Sequence, residues 1–159
     1  QNERLVQANS LPYIELNNNR SLGEAGSEEK PRVFFSAINP GVGPAEIRSV
    51  QVSVDGRPVR SARELVEACC GPLRSPIGNS TLNGRMIQSG QEVRYLDLPV
   101  TPQSQPLAEA LFNAFLSERV KATVCYCSVF DECWQLNSGN DTRPERVQQC
   151  TAAEPQYRD

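Results

Sequence analysis

The sequence contains no histidine among its 159 residues, and its only lysines are Lys30 and Lys121. Histidine is the commonest general base and metal ligand, so its absence excludes Ser/His and Cys/His nucleophile pairs and every imidazole metal site. A hydrolase would instead need a serine activated by lysine, and nothing in the sequence around either lysine indicates such a pair. The composition therefore predicts a non-catalytic protein that holds no cofactor and no metal.

Aromatic residues make up only 6% of the chain, and no apolar run reaches the length of a signal peptide or a membrane span. The net charge of −3 is spread without a basic block, so we expect no binding to nucleic acid or to an anionic membrane surface. Because the chain starts at Gln1, we expect either a removed targeting segment or the soluble part of a longer protein. Any membrane attachment would then come from a segment outside this chain.

Against these absences the chain is rich in cysteine, with Cys69, Cys70, Cys125, Cys127, Cys133 and Cys150. Cysteines in this number predict disulfides formed in an oxidising compartment, either the periplasm or the cell exterior. Their spacings match neither the paired Cys-x-x-Cys knuckles of structural zinc sites nor the redox dithiol at a helix start. The alternative function that remains open is a thiol-based redox or metal-handling site formed by Cys69, Cys70, Cys125 and Cys127.

Short alternating segments between turn residues predict a mainly β fold. We expect strands at residues 11–16, 32–39, 46–54, 57–59, 92–100, 119–130 and 133–136. Helices are expected at 62–70, where Ser61 and Glu64 have the spacing of a capping box, and at 107–116 after Pro106. Without a β-α-β rhythm, the pattern favours an antiparallel β-sandwich with two short helices, stapled by disulfides.

The same pattern divides the chain into three parts. Residues 1–10 are expected to form a flexible arm or stalk, residues 11–150 a single sandwich domain, and residues 151–159 a polar C-terminal tail. Two long loops are expected within the domain, at 17–31 and 71–90, because their composition is dominated by turn-forming and polar residues.

Alternation along residues 119–130 makes a prediction about the cysteines. Cys125 and Cys127 fall on the polar face of that strand, opposite Val124 and Tyr126, where they can tie a covering segment onto the outside of the sheet. We therefore expect at least one bridge from the pair 69/70 to the pair 125/127, and a tail staple between Cys133 and Cys150. The spacing leaves the other pairings open.

Two further motifs have structural interpretations. Asp131 and Glu132 beside Trp134 could suggest sugar chemistry, but neighbouring turn residues point in different directions, so a solvated hairpin turn is predicted. The run Gly41-Val42-Gly43-Pro44 lacks the third glycine and the lysine of phosphate-binding loops, so a rigid strand connection is predicted.

Four segments together carry a resemblance: LPY at 11–13, NPGVGPAEI at 39–47, VSVDGRPV at 52–59 and CYCSVFDECW at 125–134. They resemble the extracytoplasmic domains of uncharacterised bacterial proteins that carry one N-terminal membrane anchor. The resemblance implies an immunoglobulin-like sandwich in the periplasm or outside the cell, tethered by an anchor absent from this chain. It supplies no catalytic residues.

These observations lead to one functional expectation. The chain is predicted to be an extracytoplasmic binding or assembly module for a protein partner. Contact would be made through a sheet edge or through the loops at 17–31 and 71–90, because loops on a rigid scaffold commonly carry function.

Overall fold

The computed structural model describes residues 11–21, 30–139, 143–152 and 154–158; the predicted arm at 1–10 lies outside these ranges. The described residues form nine strands and two helices. The strands are β1 (Glu15–Ser21), β2 (Arg32–Ile38), β3 (Ala45–Val54), β4 (Arg57–Val59), β5 (Met86–Ile87), β6 (Glu92–Pro99), β7 (Val120–Cys127), β8 (Cys133–Asn137) and β9 (Glu145–Val147). The helices are α1 (Ala62–Cys69) and α2 (Gln105–Leu116). Neither helix has the length and apolar character needed to cross a membrane.

The described strands form two antiparallel sheets. One has the order β1-β2-β6; the other has the order β4-β3-β7-β8-β9, with β5 paired to the start of β3. The prediction of a mainly β, antiparallel fold with two short helices is confirmed. The arrangement is compatible with an immunoglobulin-like sandwich.

A stripe of small apolar side chains across β3 and β7 forms the centre of the core. Val52 lies opposite Ala122 and Val54 opposite Val120, and all four are buried. Both sheets and both helices contribute to one core cluster, whose largest fully buried side chains include Phe35, Leu65, Tyr95, Leu96, Leu111 and Tyr126. The alternation in the sequence therefore predicted the inward face of these two strands correctly.

Helix α1 begins where the capping box predicts. Ser61 is the N-cap, and its hydroxyl accepts a hydrogen bond of 3.1 Å from the backbone N–H of Glu64. Leu65 and Val66 face the core and are fully buried. The cap and the buried stripe together fix the start and the rotation of the helix.

The first strand was predicted in the wrong place. The prediction put a strand at 11–16 and a loop from Asn17, but β1 runs from Glu15 to Ser21 and pairs with β2 along its whole length. Three consecutive asparagines lie inside β1 despite their low strand propensity, because the ladder with β2 satisfies their backbone groups. Tertiary pairing overrides local composition here.

The last long strand ends three residues earlier than predicted, at Cys127. A tight turn follows, in which the N–H of Ser128 donates to the carbonyl of Glu132 at 2.7 Å. Ser128 also accepts the N–H of Phe130 at its side-chain hydroxyl (3.1 Å), and Asp131 has a positive φ of 63°. These local hydrogen bonds replace the ladder and begin the return into β8.

The C-terminal region contains more structure than the predicted polar tail. After β9, residues 148–152 and 154–158, here called the C-terminal strap, cross to the far edge of β3. There the N–H of Tyr157 donates a hydrogen bond to the carbonyl of Val50 (2.9 Å), and the N–H of Arg158 donates to the carbonyl of Arg60 (2.8 Å). The strap fills the gap on β3 between the parts paired with β4 and β5.

Candidate functional site

A groove of about 440 Å³ opens beside β1, at the C-terminal end of α2. It is called the β1 groove here, and its walls come from three separate parts of the chain. The lining residues are Tyr13, Glu15, Leu16, Asn17, Asn18, Phe115, Leu116, Glu118 and Gly139. The position of this groove next to a sheet edge determines what it can bind.

Strand β1 is an open edge of its sheet. It pairs with β2 on one side, and on the other side no strand in the described part of the chain pairs with it. The opposite edge of the same sheet is covered, because Gly78 and Asp97 exchange two backbone hydrogen bonds of 2.7 Å across β6. An uncovered seven-residue edge presents alternate N–H and C=O groups to an added strand.

The β1 groove has exposed apolar side chains at its rim and a buried aromatic base. Tyr13 is 43% exposed and Leu116 is 60% exposed, and both line the same groove. Phe115 is half-buried and packs on the ring of Phe35, with centroids 4.7 Å apart. An apolar side chain from a partner would therefore find a rigid aromatic floor.

The charge of the β1 groove is negative. Glu15 and Glu118 line it and are exposed, and neither carboxylate forms an ion pair within the residues that the structure describes. Most other carboxylates near a sheet have an arginine, as Asp55 does with Arg119 (2.9 Å). Two unpaired acidic groups beside an apolar rim favour a partner segment that carries lysine or arginine.

Glu118 holds a backbone conformation that usually belongs to glycine. Its φ is +61°. Its N–H donates a hydrogen bond to the carbonyl of Phe115 (3.1 Å), and the N–H of Arg119 donates to the carbonyl of Ala114 (2.9 Å). This pattern is the Schellman cap of α2, in which glycine is the preferred residue at the left-handed position. The strain is retained where the carboxylate faces the groove, and such strain is enriched at binding sites.

The rim of the groove at Tyr13 is fixed by the buried side chain of Asn39. The amide oxygen of Asn39 accepts the N–H groups of Tyr13 (3.2 Å) and Gly41 (3.0 Å), and its amide nitrogen donates to the carbonyls of Gly43 (2.8 Å) and Ile87 (3.0 Å). All four side-chain hydrogen bonds of this asparagine are thus made. The run Gly41-Val42-Gly43-Pro44 connects β2 to β3, as predicted, and hydrogen bonds to Asn39 hold it in place.

The segment that leads into β1 is also attached to the other sheet. The N–H of Ile14 donates to the hydroxyl of Tyr126 in β7 at 3.3 Å. Burial raises the pKa of Tyr126 to about 12, so this phenol stays neutral at physiological pH. The start of the β1 groove is therefore held by both sheets.

The predicted cysteine pairings are wrong. Cys69 bonds to Cys70, Cys125 to Cys150, and Cys127 to Cys133. The carbonyl of Cys69 lies 3.4 Å from the guanidinium of Arg119, just before β7 begins. Cys125 is six residues further along the chain, or about 20 Å at the rise of a strand, so the 69/70 pair cannot reach it. The four-cysteine cluster of the alternative function is therefore not formed.

The register of the β7–β8 ladder determines one of the other two bridges, and the path of the C-terminal strap determines the other. Cys127 and Cys133 lie directly opposite each other in the β7–β8 ladder, so Cys133 is not available to Cys150. Cys150 in the strap bonds instead to Cys125, which is on the outward face of β7 with exposed Lys121. The expectation that Cys125 and Cys127 tie a covering segment onto the outside of the sheet is confirmed for Cys125 and wrong for Cys127, which bonds within the β7–β8 ladder.

The acidic turn and its tryptophan have structural contacts. Asp131 pairs with Arg48, whereas Glu132 pairs with Arg146 at 2.9 Å, so the two carboxylates point to different partners. Trp134 is half-buried, stacks on Tyr126 with centroids 5.6 Å apart, and has the guanidinium of Arg146 5.2 Å from its ring centroid. These residues join β8 to its neighbours, as the hairpin interpretation predicts.

Sequence reasoning missed the β1 groove as a site. Its residues come from positions 13–18, 115–118 and 139, and no local pattern relates them. Comparison with protein-family models, with curated proteins and with solved structures finds no match to this chain.

Proposed function

We propose that this chain is a non-catalytic binding module that captures an extended, basic segment of a partner protein along β1. The partner segment would add a strand to the open edge and insert an apolar side chain into the β1 groove. Its lysine or arginine side chains would then lie against Glu15 and Glu118. The observation that carries this proposal is the outer edge of β1, which no strand of the described residues covers, beside the exposed side chains of Tyr13 and Leu116.

The two halves of the site are complementary in what they recognise. An open strand edge binds main-chain N–H and C=O groups of any extended segment and has little sequence preference. The groove adds selectivity, because the exposed side chains of Tyr13 and Leu116 line it and favour contact with an apolar side chain of the partner. The two carboxylates then favour positive neighbours and raise the association rate of basic segments.

Cysteine pairing supports a location outside the cytoplasm. All six cysteines are disulfide-bonded, which indicates an oxidising compartment. We propose that the module is an immunoglobulin-like domain of the periplasm or the cell exterior, carried on a preceding membrane anchor. There an open sheet edge would meet extended segments of envelope or secreted proteins.

Selection of random peptides displayed on phage against the oxidised protein tests the proposal. We expect enriched peptides to carry basic residues around an apolar one and to bind competitively at a single site. The double variant Glu15→Lys/Glu118→Lys should lose them. The matched control Glu67→Lys/Glu109→Lys makes the same charge change on exposed helix positions outside the groove and should retain them.

Three results would contradict the proposal. Enrichment of acidic peptides would contradict the charge argument, and equal binding by the two double variants would place the site elsewhere. A concentration-dependent dimer in sedimentation equilibrium that is abolished by Leu116→Glu would show that a second copy of the chain occupies the edge.

A further inference from the structure

The Cys69–Cys70 disulfide stabilises no distant part of the fold. It joins adjacent residues, so it closes no loop in the unfolded chain. In the chain-entropy model the stabilisation grows with the number of residues enclosed, and a bridge between neighbours gains nothing from this term. Closing a loop explains how the other two bridges stabilise the fold, but it gives no structural role to the Cys69–Cys70 bridge.

The other two bridges do close loops in the chain. Cys125–Cys150 spans 25 residues and holds the C-terminal strap on β7. Cys127–Cys133 closes the turn between β7 and β8, and both of its cysteines are buried. Cys69 and Cys70 are both half-buried, whereas each of the other two disulfides contains at least one buried cysteine.

The backbone around Cys69 and Cys70 is held independently of their sulfur–sulfur bond. The N–H of Cys70 donates to the carbonyl of Val66 (2.9 Å), and Arg119, itself paired with Asp55, reaches the carbonyl of Cys69 (3.4 Å). Neither contact involves a sulfur atom, so we expect opening of the bond to leave α1 and its packing unchanged.

Space for a reaction partner adjoins the pair. A groove of about 390 Å³ begins at Pro72, two residues after Cys70, and is lined by Pro72, Arg74, Ser75, Gln103, Ser104 and Leu107. Between the pair and the groove lies Gly71, whose φ of +126° only glycine adopts without strain. The chain thus turns directly after the disulfide and reaches the wall of this groove at Pro72.

We propose that Cys69–Cys70 is a thiol–disulfide exchange site that oxidises an external dithiol, an activity separate from binding at the β1 groove. A thiolate of the donor attacks one sulfur of the pair, the Cys69–Cys70 bond breaks, and the other cysteine leaves as a thiolate. The donor's second thiol then attacks the mixed disulfide. The donor ends as a disulfide, having lost two electrons and two protons, and Cys69 and Cys70 end as two thiols.

Graded reduction under native conditions tests this site. The oxidised protein is equilibrated with increasing dithiothreitol, alkylated and mapped by mass spectrometry. We expect Cys69 and Cys70 to be alkylated together at a reductant concentration at least about ten-fold below that for the other four cysteines. Circular dichroism should stay unchanged at that point, and oxidised dithiothreitol should restore the bond.

Two variants give the comparison. Cys125→Ala/Cys150→Ala should leave the response of Cys69 and Cys70 unchanged, whereas Cys69→Ser/Cys70→Ser should abolish the first reduction step with no change in melting temperature. The proposal is overturned by alkylation of Cys69 or Cys70 before reductant is added, by resistance of the pair until the protein unfolds, or by earlier reduction of either other bridge.

Discussion

The hydroxyl of Tyr157 donates a hydrogen bond of 2.8 Å to the backbone carbonyl of Tyr95, and the two rings meet edge to face with centroids 5.9 Å apart. Tyr95 lies in β6 of the smaller sheet, whereas the N–H of Tyr157 bonds Val50 in β3 of the larger one. One residue of the C-terminal strap therefore joins the two sheets. Its side chain is almost completely buried.

Two tyrosine variants should behave in opposite ways. Tyr157→Phe removes a satisfied hydroxyl and should lower the free energy of unfolding by roughly 1 kcal/mol. Tyr95→Phe should leave stability unchanged or raise it, because the Tyr95 hydroxyl is buried without a hydrogen-bond partner in the described residues. Urea denaturation measures both, and a larger loss for Tyr95→Phe would contradict the hydrogen bonding described here.

The disulfides should differ in their contribution to stability. Cys125→Ala/Cys150→Ala opens a 25-residue loop and should cost about 3.5 kcal/mol in the chain-entropy model. Cys69→Ala/Cys70→Ala opens no loop and should change the free energy of unfolding by less than about 0.5 kcal/mol. Chemical denaturation of the oxidised proteins provides the comparison. A large loss from the second variant would mean that the adjacent pair has a structural role.

Asn39 should be among the least replaceable polar residues of the fold. Asn39→Ala leaves four backbone groups without their side-chain partner, at least two of them buried, and should lower the free energy of unfolding by at least about 3 kcal/mol. The control Asn137→Ala changes an exposed asparagine of β8 and should cost about 0.5 kcal/mol or less. Equal effects in thermal melts would contradict the assigned role of Asn39.

Glu118 should trade stability against binding. Glu118→Gly relieves the left-handed strain and should raise the free energy of unfolding by about 1 kcal/mol. Glu118→Gln keeps the strain and removes the charge, so its stability should match the parent protein. Both variants should bind basic peptides more weakly in fluorescence titration. Unchanged affinity in both would remove Glu118 from the proposed site.

Sequence reasoning succeeded where local chemistry decides the structure. Alternating valines predicted the buried faces of β3 and β7, and Ser61 with Glu64 predicted the start of α1. Asp55 and Gly56 form the tight turn between β3 and β4 that this residue pair favours, since both adopt positive φ values, 49° and 84°. In each case a hydrogen bond, a turn or a periodic pattern within a few residues is sufficient to predict the local structure.

It failed where partners distant in sequence decide the structure. Asparagines at 17–19 indicate a loop, yet pairing with β2 makes them a strand. The route of the strap, which sets the Cys125–Cys150 bridge and buries Tyr157, has no local signal. The end of α2 at Leu116 was predicted correctly, but the Schellman cap at Glu118 has no signal in the sequence, because glycine is the residue normally expected at that position. The β1 groove combines residues of β1, of the end of α2 and Gly139, so it becomes visible only in the folded protein.

The most direct test of the account is hydrogen–deuterium exchange at the backbone amides of β1, with and without a saturating basic peptide from the selection. Addition of a strand predicts that alternate amides between Glu15 and Ser21 become protected, because only every second N–H points away from β2. The amides of β9, an edge strand of the other sheet, should exchange as before. Tight peptide binding without protection in β1 would contradict strand addition at this edge.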